Sequence, residues 1–538
     1  MSVAFAVVVA ALSTWSVWEQ DIFWQVRAGA ELLDSGQFPQ SETWSYTVAA
    51  SDWQNVHWLS TVLFALTFRW FGIVGLIGLR ALLAGGLIYL VGRTLSAAAP
   101  RMPPVFAAAL LALVYFALAP RIQVRPEMLA LLCYCACNLV WLSRLVTTTK
   151  CWLTTGLMLL VSNFHASMTP FLGLLALTYL LGAGLSRPAR FRWCAGLLVA
   201  AFCNPQPFGG LRHAFRHLFY FSDKLIPNPE QQRATWAALM SGPERWHLWA
   251  SLVIVVLGVA YLRARGREDI PGYGRRWLPL FTTGVLLALC AERTRATPFV
   301  ILYAAPLAAR LLERLTWRPR FVPALLSASF VGLVLAIAVL FPPYPFGFEP
   351  TPQIWPVESV AFIKRTKPQA NVFHTFSFGS YLDLYLPEYK VFGDTRETPF
   401  REVESEYLAA YESREGLSKL VARYDINTLL LDRPKLERLD DASYFDVLEA
   451  YAPSKEWALV FFDAASVVLV KRSRVNAPIV QQHEYRWLRP SMPADEIWRV
   501  ASTNPTYRQA LQLELDRCLH DVPGLFFCER LAQLAKQH

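Results

Sequence analysis

Four stretches of this chain, 104–119, 246–262, 278–291 and 322–341, contain no Asp, Glu, Lys or Arg. Backbone in runs of that length, placed in lipid, must satisfy its own hydrogen bonds, and the helix is the simplest way to do so. Charged residues make up 17% of the chain, against about 25% in soluble domains, and mean hydropathy is +0.30. From Pro350 to Lys471 the pattern changes to mixed charge, Pro and Gly turns and short β-like runs. The predicted fold class is an α-helical polytopic membrane protein with a C-terminal soluble α/β domain and a helical tail. The corresponding divisions are 1–345 (with a first outer loop at 19–57), 346–473 and 474–538.

The front of the chain sharpens this. Residues 1–18 are uncharged, and Glu19, Gln20 and Asp21 follow at once. The run lacks a basic n-region and a small-residue cleavage site, so it reads as an uncleaved span rather than a signal peptide. Asp21 then stands about one helical turn past a span. A carboxylate there suits a general base or metal ligand at a water–membrane interface. It equally suits the N-cap of a helix expected over about 22–33.

The net charge of +10 does not point to nucleic acid. Arginines gather between apolar runs, at 187–192, 263–276 and 314–320, as expected of cytoplasmic loops. Counting spans from those loops puts everything after about Phe346 outside the cytoplasm. It gives about ten or eleven spans, because 58–97 looks like two helices broken near 71–75. The count also exports Arg121, Arg125, Arg293 and Arg295, against the usual sign.

The same count gathers polar residues on the outer face: Glu19, Asp21, His57, Arg121, Arg125, Asn163, His165, Asn204, Asn228, Glu230, Arg293 and Arg295. Ionisable groups near span ends are costly unless paired or functional. The arginines have two readings, planar forks for a phosphate headgroup and snorkelling side chains. No nucleotide-binding, serine-hydrolase or zinc-protease motif is placed convincingly, and no Cys/His spacing suggests zinc. Seven cysteines lie in or beside apolar runs as small hydrophobes. Cys518 and Cys528 lie in the polar tail and can pair in an oxidising compartment.

In the outer domain, strand-like runs are expected at 371–386, 389–394, 426–432 and 457–471, with helices at 401–424 and 436–451. Asp394 and Arg396 leave a strand end, as ligand residues or as a structural ion pair. Prolines over 342–356 form a linker. The tail from about Pro493 reads as a helical pair closed by Cys518 and Cys528.

This layout resembles the GT-C superfamily of membrane glycosyltransferases, which contains protein mannosyltransferases, aminoarabinose transferases and oligosaccharyltransferases. A closer likeness is to a bacterial subgroup. Asp21, Trp24, Gly29, Pro39, Ser45, Thr47, Trp53, Trp58 and Leu59 match its first loop. Asn163-Phe164-His165-Ala166-Ser167, Phe378–Leu382 and Val391–Arg396 match later segments. Gln25 stands where a His is expected, Ala166 where a Gly is, and His57 where an acid is. The resemblance implies sugar transfer from a polyprenyl-phosphate-linked donor to an extracytoplasmic glycan, lipid or protein. Asp21, with His57, is then the catalytic group, acting as base or through a divalent metal ion. Arg121, Arg125, His165, Asn163, Glu230, Arg293 and Arg295 form the substrate-binding set. Membrane lipids are the other partner, and the bacterial inner membrane with a periplasmic C-terminal domain is the expected location. The alternatives are a transporter or flippase for a lipid-linked sugar, and a non-catalytic scaffold.

Overall fold

The computed structural model describes residues 2–219, 245–265, 273–274, 277–314, 332, 347, 349–396, 398–433 and 447–537. These fall into two compact units. The first comprises 1–16, 28–36 and 54–348, and the second 17–27, 37–53 and 349–538. The expected span at 321–341, Gly332 excepted, and Asn228 and Glu230 lie outside the described residues.

The first unit is helical. It holds α1 (Ser2–Leu12), the end of α2 (Asp21–Ser35), α3 (Trp58–Ala98), α4 (Pro104–Leu118), α5 (Pro126–Leu142) and α6 (Thr147–Phe164). It continues with α7 (Thr169–Gly182), α8 (Arg187–Phe202), α9 (Pro207–Phe219), α10 (Arg245–Ala264), α11 (Trp277–Glu292) and α12 (Thr297–Arg314). Among the described residues, four helical stretches are long and apolar enough to cross a membrane: Trp58–Ala98, Pro104–Arg121, Arg245–Ala264 and Thr294–Arg314. Shorter apolar helices accompany them, including Ser2–Leu12 and Pro126–Leu142.

The break expected near 71–75 is at Gly72, which takes φ 59° and ψ −152° inside α3. That backbone is open only to a residue without a Cβ. Beyond it, α1 packs against α3, with Ala6 beside Gly85. Arg80, 1% exposed, donates through Nε to the Ser13 carbonyl at 2.9 Å and through Nη2 to that of Trp15. Its guanidinium also lies over the Trp15 ring. A buried cation is thus matched to carbonyls just past a helix C-terminus, where partial negative charge collects.

Contacts at the helix ends sort into two groups. At one end, Trp58 Nε1 donates to Asn163 at 2.9 Å and Arg295 approaches Glu127 at 3.9 Å. At the other, Arg310 donates to the Ala98 carbonyl, Glu313 accepts from Arg101 N–H, and Lys150 donates to the Trp141 carbonyl. On α3, α5, α6 and α12 the two groups occupy opposite ends.

The second unit contains a four-stranded sheet, β1 (Val372–His374), β2 (Thr428–Asp432), β3 (Trp457–Phe462) and β4 (Ser466–Lys471), in the order β1-β2-β4-β3. β1 and β2 are parallel and the other pairs antiparallel. The parallel pair requires a crossover. It is built from α14 (Phe376–Tyr385), α15 (Glu404–Glu412) and α16 (Arg414–Tyr424), while α13 (Val357–Thr366) precedes the sheet. The expected strand at 371–386 is corrected here to three residues of strand followed by helix. Thr375 caps α14 by accepting the Phe378 N–H, and Phe378, Tyr381, Leu382 and Tyr385 follow helical spacing. The expected strand at 389–394 is corrected to a single bridge between Val391 and Ser45. Of the helix expected at 436–451, α17 (Val447–Tyr451) is described and the rest lies outside the described residues.

After α18 (Ala477–His483), the tail has three helices rather than two, α19 (Ala494–Thr503), α20 (Pro505–Asp521) and α21 (Phe526–Gln537). A Cys518–Cys528 disulfide joins α20 to α21.

Candidate functional site

Asp21 is the first residue of α2 and belongs to the second unit. A carboxylate in the first turn faces the positive end of the helix. Thr395 Oγ1 donates to Asp21 Oδ1 at 2.5 Å, and Trp24 Nε1 donates to the same oxygen at 3.2 Å. The Asp21 N–H is taken by Glu19 Oε1 at 3.2 Å. Behind Thr395, Ser380 Oγ lies 2.8 Å from its hydroxyl and accepts its N–H at 3.3 Å. Ser380 is on α14, whose start also touches the Thr395 loop closely. A Cβ on Gly379 would stand 1.9 Å from the Gly393 carbonyl oxygen.

An aromatic base supports this turn. Phe23, 0% exposed, contacts Trp355, Tyr381 and Tyr385, and the Trp355 indole donates to the Val17 carbonyl at 2.9 Å. Burying a Phe contributes about 1.5–3 kcal/mol, so the first turn of α2 is anchored by packing as well as by hydrogen bonds.

Next to it lies a buried ionic cluster. Arg396 reaches Glu42 at 2.6 Å and Asp394 at 2.5 Å, with its guanidinium over the Trp44 and Trp53 rings at 4.1 and 4.7 Å. Burial works against its charge, but Asp394, Glu42 and Asp383 outweigh it and hold the group charged. Of the two readings for Asp394 and Arg396, the geometry is that of a structural ion pair. Asp383, fully buried, lies 3.5 Å from Arg27. Burial and Asp394 push its carboxyl well above the usual range, against the pull of Arg396 and Arg27. Ser45 and Thr47 both donate to the Phe392 carbonyl, which ties the first loop to the segment that carries Asp394 to Arg396.

The remaining described site residues belong to the first unit. The His57 and His165 rings meet edge to face at 4.4 Å, and His57 and His213 at 6.1 Å. Burial, with His213 and Arg295 adding to it, holds the His57 imidazole well below its ordinary value. It is therefore neutral at pH 7. His165, 2% exposed, pairs through Nδ1 with the Ser167 hydroxyl. Arg121 and Arg293 are buried, and Arg125 is half-buried just before α5. Arg295 faces Glu127, whose carboxylate is buried and has no hydrogen bond among the described residues. The Asn163 amide is engaged by Trp58 and by the Cys203 carbonyl. Sequence reasoning passed over Thr395, Glu127 and His213. Thr395 and Glu127 sit inside or beside quoted segments, whereas His213 lies on α9 with no pattern to mark it.

No three of His, Cys, Asp and Glu converge as a metal-binding group among the described residues.

No family model matches the chain, and no curated protein matches it. Solved structures do. The oligosaccharyltransferase AglB of Archaeoglobus fulgidus, in complex with an inhibitory peptide and a dolichol-phosphate, aligns with a TM-score of 0.55 at 10% identity, over 86% of this chain and 72% of that one. Its apo form gives 0.52. ArnT from Cupriavidus metallidurans in the apo state aligns with a TM-score of 0.51 at 13% identity, over 87% of this chain and 96% of that one. The chain therefore shares the fold of these solved structures.

Proposed function

We propose that this chain is an integral-membrane glycosyltransferase. It moves a sugar from a polyprenyl-phosphate-linked donor to an acceptor hydroxyl or amide outside the cytoplasm. The observation that carries the reading is the Asp21 carboxylate, fixed on the first turn of α2 by two donors. In the proposed step the acceptor oxygen or nitrogen attacks the anomeric carbon and gives its proton to Asp21. The bond from that carbon to the phosphate oxygen breaks, and its electron pair leaves on the polyprenyl phosphate. Base catalysis of this kind is worth about 10²–10⁴-fold.

The leaving phosphate needs positive charge, and Arg121, Arg125, Arg293 and Arg295 are assigned to it, with Asn163 and His165 as further substrate-binding residues, while His57 keeps its catalytic assignment. Glu230 keeps its assignment from sequence. The dolichol-phosphate in the AglB complex supports a lipid-phosphate donor. The C-terminal domain is assigned to the periplasmic side of a bacterial inner membrane, and Glu127 joins the candidates as a buried acid paired with Arg295.

The test is Asp21→Asn in purified protein. It uses radiolabelled undecaprenyl-phosphate glucose, mannose, N-acetylglucosamine and aminoarabinose, with total membrane extract as acceptor. Wild type should transfer one of these labels, and the variant should lose about 10²-fold or more while its melting temperature stays near wild type. Wild-type rates in Asp21→Asn would remove the assignment.

A further inference from the structure

We propose that Thr395 is the positioning residue of Asp21: its hydroxyl sets the orientation of the carboxylate, so the C-terminal unit supplies part of the catalytic apparatus and is not only a binding appendage. This rests on the reading of Asp21 as the base. Thr395 Oγ1 donates to Asp21 Oδ1 at 2.5 Å across 374 residues of sequence. The carboxylate is acceptor-only when ionised, which fixes the direction of the chain. Thr395 spends its single proton on Asp21, so the 2.8 Å contact with Ser380 has Ser380 as donor. Ser380 in turn accepts the Thr395 N–H. The hydroxyl is thereby held at both its backbone and its oxygen, and its rotor is not free to swing away.

The platform is rigid on both sides. Ser380 lies on α14, and three residues further along the same helix Asp383 stands 3.5 Å from Arg27 of α2. The residue after Thr395 is Arg396, clamped between Glu42, Asp394, Trp44 and Trp53. Trp24, one turn along α2, adds a second donor to Oδ1. With two donors on Oδ1, the plane of the carboxylate is set. A hydrogen bond to an ionised group favours the ionised form, so Thr395 keeps the base in its working state at lower pH.

The experiment compares Thr395→Val, which keeps shape and removes the hydroxyl, with Thr395→Ser, which restores it. Ser380→Ala serves as a second, milder lesion. The readout is the pH profile of label transfer from the active undecaprenyl-phosphate sugar. Thr395→Val should lower kcat by about ten-fold or more with little change in KM, and should move the acidic limb of the kcat profile up by about one pH unit. Thr395→Ser should recover most of both, and Ser380→Ala should shift the limb the same way by less. A Thr395→Val profile that overlays wild type while Asp21→Asn is inactive overturns this proposal and leaves the glycosyltransferase reading intact. Full activity in Asp21→Asn overturns both. Should Thr395→Val fail to fold, a Ser380→Ala profile that overlays wild type overturns the proposal in its place.

Discussion

His374 Nε2 accepts the backbone N–H of Phe392 at 3.0 Å, while its Nδ1–H donates to the Thr375 carbonyl at 2.8 Å. Both ring nitrogens are committed in a way that only the neutral imidazole permits. Burial pushes the side chain down to about 4, against smaller opposing effects of the Thr375 carbonyl and Asp394. The folded value lies below the unfolded one, near 6.5. Its stabilising contribution is therefore fully present above about pH 6.5 and is lost as pH falls towards about 4. The shift corresponds to at most about 3 kcal/mol. Thermal unfolding of the full chain in detergent should show this loss between about pH 6.5 and about pH 4.5. The His374→Gln curve should start lower and be flatter. Parallel curves for the two proteins would rule out His374 as the source.

Arg396 makes the second expectation. Its fork bridges Glu42 of the first loop and Asp394, between two indole faces. Removing one partner of a buried pair costs about 3–5 kcal/mol because the remaining charges stay buried. Arg396→Met should destabilise by that order and release 37–53 to limited proteolysis. Arg396→Lys should rescue poorly, since an ammonium cannot reproduce the fork. Undiminished protease resistance in Arg396→Met would show that the loop is held by other means.

Much of the fold was legible in the sequence because apolar helices announce themselves locally. The runs at 104–119 and 246–262 are helices, and the break near 71–75 is the positive-φ Gly72. The helix start at Asp21 was also legible, since acids directly after an apolar run mark a helix start. The pairing of Asp21 with Thr395, Glu42 with Arg396 and Ser45 with Val391 was not. Each joins segments more than three hundred residues apart, and such contacts leave no periodicity in either. The run 371–386 misled because its alternating apolar residues fit a strand as well as a helix. The cap at Thr375 decided the matter. The Ser-x-Thr element at Ser45 and Thr47 pointed to a matched segment, but its work is to bind the Phe392 carbonyl.

The arginine assignment gives a third expectation. If Arg121, Arg125, Arg293 and Arg295 serve a lipid phosphate, the wild-type protein should bind undecaprenyl phosphate in detergent micelles. Alanine at one or more of the four should weaken binding by about ten-fold, the scale of one charge-assisted hydrogen bond. Lys at an affected position should recover little where the contact is bidentate. Arg295 carries a complication, because its loss leaves the buried Glu127 without its 3.9 Å partner. The double variant Arg295→Ala with Glu127→Gln separates that effect from lost phosphate contact. Unchanged affinity in all four single alanine variants would refute the assignment.

The disulfide supplies the last expectation. Cys518 is 1% and Cys528 0% exposed, and the bond closes a short loop between α20 and α21. Loop-closure entropy for a loop of that length corresponds to at most about 3 kcal/mol. That is enough to hold two helices together but not the whole unit, so the double variant Cys518→Ala, Cys528→Ala should loosen the tail and leave the sheet folded. Hydrogen exchange should rise over α20 and α21 and stay unchanged over β2, β3 and β4. In unreduced, denatured protein, alkylation should label the seven free cysteines, Cys133, Cys135, Cys137, Cys151, Cys194, Cys203 and Cys290, and spare both tail residues. Protein taken directly from cells is the informative sample, because a bond formed there requires an oxidising compartment around the C-terminal unit. Labelling of Cys518 and Cys528 in that sample would count against both the bridge and the external placement of the unit.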